Sequence, residues 1–313
     1  MTPAIAIPLF LVSAAVTFGA AGIFADKLDH IGPRIGLPES AVGLLTAVAA
    51  DTPEITSAIV ALIAGKQDAS LGIVIGSNVF NIAAMIGLSA LLAGSVTVGR
   101  GALMVEGTVS VLSLIVTVGL IAGLFSAPVA LVLFVAVVGP YVWITLRRDH
   151  QPGPGHHEHR RREGSLWKPI ALIVPAVVLI VVGSTGMVNA ALSLADSWGV
   201  SETVTGILVL AVLTSLPNAF TAVRLGLAGR GDALVTETLA SNTINLTGGV
   251  LVPALFVGIA SASASIYFDL AWLGGMTAVA LITLAAPRGL GRTAGVLLIA
   301  AYAVFVAVHL ALG

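Results

Sequence analysis

The sequence predicts an all-α membrane protein of ten transmembrane helices, arranged as two inverted five-helix repeats. Three observations predict it. Of 313 residues, 58 % are apolar and only 9 % are charged, against about 25 % charged in a soluble domain. The apolar residues fall in long continuous runs of bilayer length. One pattern of polar residues occurs twice, at a constant offset of 164 positions.

Fourteen basic and fifteen acidic side chains cannot wet the surface of a globule this long, so the solvent for most of the chain is lipid. This excludes a soluble enzyme and a disordered tail. A net charge of −1 argues against nucleic acid as a partner. With no cysteine, thiol nucleophiles, disulfides and thiolate metal sites are excluded. There is no HExxH helix for a zinc hydrolase, and isolated serines make no triad. The expectation is a transporter that needs no cofactor.

A helix needs roughly 20 apolar residues to cross the hydrocarbon core. Ten spans satisfy this, over 3–25, 38–64, 69–94, 101–123, 127–146, 169–195, 202–228, 233–259, 266–286 and 293–312. A β-barrel would instead show alternating segments of about ten residues. The first span lacks a basic leader and a small-residue cleavage site, so it reads as a retained helix.

Residues 147–168, RRDHQPGPGHHEHRRREGSLWK, form the one hydrophilic linker. They divide the chain into a first repeat over 1–146 and a second over 169–313. Basic loops stay on the cytoplasmic side. Placing this linker there puts thirteen of the fourteen Lys and Arg residues on the same side, leaving only Lys66 outside. Both termini are then expected outside, in a multi-pass protein of a bacterial inner membrane. His156, His157 and His159 in the linker resemble a metal-binding tract, against the simpler reading of a solvated loop.

Aligning 44–91 with 208–255 superposes Pro53 on Pro217, Ala64-Gly65 on Ala228-Gly229, Asp68 on Asp232, Ser77-Asn78 on Ser241-Asn242 and Asn81 on Asn245. ESAVGLL (39–45) echoes ETVTGIL (202–208) just upstream. Five spans separate equivalent helices, and five is odd, so the copies cross in opposite directions. Inverted repeats place a transporter's site at the midplane between them. The proline lies mid-span in each copy. It removes a backbone hydrogen bond and kinks or breaks the helix, and the freed carbonyls are tolerable only where protein or a water-filled cavity covers them.

Asp51 and Glu54 flank the first proline. A charge at the bilayer centre costs about 2.5–3.5 kcal/mol on insertion scales, and two neighbouring carboxylates also repel. A bound cation relieves both penalties; the plainer reading is a protonated, hydrogen-bonded pair. Ser77 and Asn81, and likewise Ser241 and Asn245, are spaced i, i+4 on one helix face. Thr214, Ser215 and Asn218 surround Pro217. Hydroxyl, amide and carboxylate oxygens suit hard cations such as Ca²⁺ and Na⁺, although each Ser or Asn alone also serves helix packing. Glu237 lies on one stripe with Ser241 and Asn245, either one turn further along an ion path or at the interface. Glu106 reads as a packing or proton-relay residue, and Asp269 as an outer-surface residue.

At these residues the chain resembles the sodium/calcium exchanger family, within the cation/Ca²⁺ exchanger superfamily. DTPEITSAIVALIAGKQDASLGIVIGSNVFN (51–81) is similar to its first α-repeat, and LTSLPNAFTAVRLGLAGRGDALVTETLASNTIN (213–245) to its second. The resemblance implies alternating access, with central cation sites lined by the second, third, seventh and eighth helices. It also implies exchange of Ca²⁺ against Na⁺ or H⁺. In the family TSxPE stands in both repeats and two glutamates carry the Ca²⁺ site. Here Glu54 is kept, Asn218 takes the place of its counterpart, and Asp51 falls on the serine position unless a one-residue gap brings Thr52 there. The expected ligand set is Asp51, Glu54, Ser77, Asn81, Thr214, Ser215, Asn218, Ser241 and Asn245. The alternatives are Na⁺/H⁺ or other monovalent exchange on the same fold and, more distantly, a passive cation channel.

Overall fold

The computed structural model describes residues 1–31, 47–147, 167–259 and 262–312. The ESAVGLL segment and the three linker histidines lie outside these residues. Helices occur where the apolar runs predict them: α1 (Pro3–Ile31), α2 (Thr52–Ile63), α3 (Gln67–Ala93), α4 (Arg100–Ile121), α5 (Ala127–Arg147), α6 (Trp167–Trp198), α7 (Glu202–Leu227), α8 (Gly231–Val257), α9 (Ala264–Leu284) and α10 (Arg292–Leu312). Eight are long and apolar enough to cross a membrane, while α2 and the apolar part of α5 are shorter. Residues 47–50 are also helical, and a turn at Asp51 separates them from α2. The linker is shorter than its composition suggests, since Arg147 closes α5 and Trp167 and Lys168 open α6.

The repeats are alike in detail. The turn after α2 and the turn after α7 end on Gly65 (φ +77°) and Gly229 (φ +69°). In each, a 6→1 bond closes the helix: Lys66 N–H donates to Ala61 O and Arg230 N–H to Leu225 O, both at 2.9 Å. Only glycine takes this left-handed conformation without a Cβ penalty. A π-helical turn follows the key asparagines in both copies, at Ile82–Gly87 in α3 and at Thr247–Leu251 in α8.

The two turns lie on opposite faces. Lys66, after α2, pairs with Glu202 at the start of α7, and this hydrogen bond holds the Lys66 ammonium above the ordinary lysine range. At the other face, Gly99 N–H donates to Asp232 Oδ1 at 2.6 Å. There also the segment after α3 pairs antiparallel with the one before α10, Ser95 opposite Gly291. Equivalent hairpins therefore enter from opposite sides, as an inverted repeat requires.

The centre is α3, which packs on α2, α7, α8, α9 and α10. Its approach to α7 is set by glycine. A Cβ on Gly76 would lie 2.8 Å from Ile207 Cα, and one on Gly206 would lie 2.5 Å from Ala69 O. Small residues at such crossings allow the dense packing that substitutes for a hydrophobic driving force in lipid. Outside this centre, α1 and α6 pack on each other, while Leu11, Val12, Val178 and Val182 point outward. Such apolar side chains on the outside are what a lipid-facing surface requires.

Candidate cation site

The prolines act differently in the two copies. In the first, the break falls at Asp51, and Pro53 sits in the first turn of α2, where a missing N–H costs nothing. In the second, α7 runs unbroken through Pro217. The expectation of a like interruption in both repeats is thus corrected. The helix continues at the loss of the one bond Pro217 cannot donate to Leu213 O. The equivalent carbonyl in the first copy belongs to Ala49.

All nine expected residues are buried, none more than 5 % exposed. Asp51 Oδ1 accepts from Asn218 Nδ2 and from Ser241 Oγ, each at 2.7 Å. Glu54 Oε1 accepts from Ser215 Oγ at 2.9 Å. Asp51 pairs by offset with Ser215, and Glu54 with Asn218, so Asp51···Asn218 and Ser215···Glu54 are one contact seen twice through the pseudo-two-fold axis. That geometry favours the ungapped alignment. Thr52, the gapped alternative, is spent on its own helix and donates to Val48 O at 2.9 Å.

Asn81 Nδ2 reaches Ser241 Oγ at 3.3 Å and Asn242 Oδ1 at 3.0 Å. Its mate Asn245 donates to Asn78 Oδ1 at 3.3 Å. Ser77 and Thr214 stand one step aside, both donating to the carbonyl of Ala211, at 3.4 and 3.2 Å. Donation to the main chain leaves lone pairs free on both hydroxyl oxygens. Glu237 is half-buried and within electrostatic reach of Asp51.

Four buried oxygens in this network have no hydrogen-bond partner: Asp51 Oδ2, Glu54 Oε2, Asn81 Oδ1 and Asn245 Oδ1. All are acceptors, and two belong to carboxylates. An unsatisfied buried acceptor costs about 1–3 kcal/mol, more if charged, so such a cluster fits a ligand that only attracts lone pairs. Among the described residues no cluster of three His, Asp or Glu side chains exists. The group offers few charges and many neutral oxygens, a donor set of the kind that hard cations accept.

Two residues outside the expected set matter. Asn78 and Asn242 bridge the repeats at the centre, each donating to the other's backbone carbonyl, at 3.0 and 3.2 Å. Their recurrence at the common offset was the available signal. Asp269 is a correction: it is fully buried, not at the outer surface. Its carboxylate lies 2.8 Å from His309 Nε2, beside the rings of Phe268 and Phe305 that pack on this histidine. The two residues are far apart in sequence, and nothing in either segment indicated that α9 and α10 would bring them together. Glu106 is also buried, and accepts from Tyr141 Oη at 3.4 Å.

An inverted-repeat helical bundle with a buried acidic and amide cluster on its pseudo-two-fold axis defines the architecture of a secondary transporter. The sequence profile of the sodium/calcium exchanger protein family matches residues 5–146 and 168–311. The chain belongs to that family. It is 24 % identical to the sodium/calcium exchanger MaX1 of Methanosarcina acetivorans, over 91 % of this chain and 93 % of that protein. It is 27 % identical to the inner membrane protein YrbG of Escherichia coli K12, over 70 % of each. Among solved structures it superposes on the sodium-calcium exchanger NCX_Mj with a TM-score of 0.66 at 20 % identity, covering 98 % of this chain and 99 % of that one. It also superposes on native YfkE, at 0.70 and 16 %, over 96 % and 91 %. These structures share the fold.

Proposed function

We propose that this protein is a secondary active cation antiporter that exchanges Ca²⁺ against Na⁺ or H⁺ by alternating access. The observation that carries the reading is the set of four buried, unpartnered acceptor oxygens on the Asp51 turn, α2, α3 and α8. Asp51 and Glu54 supply the charge. Asn81 and Asn245 supply amide oxygens, and Ser77, Thr214, Ser215, Asn218 and Ser241 complete or support the shell. The freed carbonyls of Ala49 and Leu213 are further oxygen ligands, and Glu237 lies along the ion path. No cofactor takes part. The protein sits in the cell's inner membrane with its basic linker in the cytoplasm.

The transport cycle follows from electrostatics. Two carboxylates buried together repel, and a cation bound between them offsets both repulsion and desolvation. A loaded site is then stable in a closed protein, and an unloaded one favours exposure to water. Purified protein in proteoliposomes should show Ca²⁺ uptake driven by an opposing Na⁺ or H⁺ gradient. Glu54→Gln removes a ligand charge and should abolish that uptake. Uptake that survives Glu54→Gln at the wild-type rate overturns the assignment. The one observation favouring monovalent exchange is Asn218 in place of a second glutamate; proton flux that any monovalent cation drives, unchanged by Ca²⁺, would establish that alternative.

A further inference from the structure

Asn78 and Asn242 hold equivalent places in α3 and α8 and are almost wholly enclosed, at 0 % and 2 % exposure. Asn78 Nδ2 lies 3.0 Å from the backbone oxygen of Asn242, and Asn242 Nδ2 lies 3.2 Å from that of Asn78. A backbone carbonyl can only accept. The nitrogen end of each amide must therefore face the other helix, and this fixes which way each amide points. The Oδ1 atoms are left at the opposite end. That of Asn78 accepts from Asn245, and that of Asn242 accepts from Asn81, at 3.3 and 3.0 Å. An oxygen that accepts demands nitrogen from its partner, so Asn81 and Asn245 are fixed in turn. Their own oxygens are the two that remain buried and unpartnered.

We infer that Asn78 and Asn242 are positioning residues, which aim the amide oxygens of Asn245 and Asn81 at the transported cation. The wiring crosses the axis. The first repeat orients the ligand of the second through Asn78, and the second orients the ligand of the first through Asn242. A flipped amide would present N–H groups to the cation, so without this relay the same side chains would repel what they now bind. The inference rests on the cation-site reading above.

The crossed wiring gives a pattern that a merely structural role lacks. Ca²⁺ dissociation constants would be measured by isothermal titration on purified full-length protein in detergent, for double-mutant cycles between each positioning residue and each ligand. Asn78→Leu and Asn245→Ala should each weaken binding about tenfold, within the usual range for such contacts, and the double variant should be no weaker than Asn245→Ala alone. Asn78→Leu leaves its backbone carbonyl in place, so Asn242 still holds Asn81; with Asn81→Ala the losses should multiply. Asn242→Leu should couple to Asn81→Ala and multiply with Asn245→Ala. Asn78→Ala removes the same amide with less added bulk and should show the same pattern, coupling to Asn245→Ala and multiplying with Asn81→Ala. It serves alone if leucine prevents folding.

Losses that multiply in every pairing, with leucine or with alanine at Asn78, overturn the positioning role. Wild-type protein that binds neither Ca²⁺ nor Na⁺ overturns the cation site itself.

Discussion

Asp51 stands where the second copy has Ser215, and Asn218 where the first has Glu54. The Asn218 amide donates to Asp51 Oδ1 at 2.7 Å, a hydrogen bond worth about 0.5–1.5 kcal/mol net, and more when the carboxyl is charged. Asn218→Glu alone would set two carboxylates against each other at that distance, so thermal stability in detergent and flux should both fall. Asp51→Ser combined with Asn218→Glu places one carboxylate in each repeat and should restore both. A double variant as impaired as Asn218→Glu would show that the two positions do not exchange roles. At this scale the sequence was informative about residue type and mute about pairing. The polar residues stood out because polar groups are rare in lipid. That Asp51 takes two donors while Glu54 takes one from Ser215 depends on side-chain directions that no spacing encodes.

Glycine sets the geometry of the elements in two distinct ways. At Gly206 there is no room, because a Cβ would meet the backbone oxygen of Ala69 at 2.5 Å. Gly206→Ala should cost about 1–3 kcal/mol by overpacking. At Gly65 there is open space but a φ of +77°, and Gly65→Ala should cost about 1–2 kcal/mol by left-handed strain. Melting temperatures of the two variants test this, and a Gly206→Ala protein as stable as the wild type would mean that α3 and α7 can separate cheaply. The positions of the helices were legible, since bilayer-length runs of apolar residues leave one solution for the backbone. The π-helical turns and the unbroken course of α7 through Pro217 were not, because they depend on what packs against each helix.

For the whole molecule, the inverted repeat and the one-sided basic residues lead to one orientation. The chain has no cysteine, so single cysteines report sidedness cleanly. In intact cells, Lys66→Cys should react with an impermeant maleimide added outside, and Glu158→Cys only after the membrane is opened. The reverse pattern would turn the protein over and leave the fold untouched. Contacts across the molecule already separate the two faces: Lys66 meets Glu202 at one, and Gly99 meets Asp232 at the other.

The sequence by itself determined the solvent, the helices, the duplication and its inversion, and most of the residues of the polar centre. Each follows from a local property: the cost of polar groups in hydrocarbon, the length of a run, and parity in counting spans. Only the tertiary structure decided the crossed amide relay at Asn78 and Asn242, the burial of Asp269 against His309, and the unequal action of the two prolines. Those depend on the meeting of segments remote in the chain, where one hydrogen-bond partner's chemistry dictates the next one's orientation.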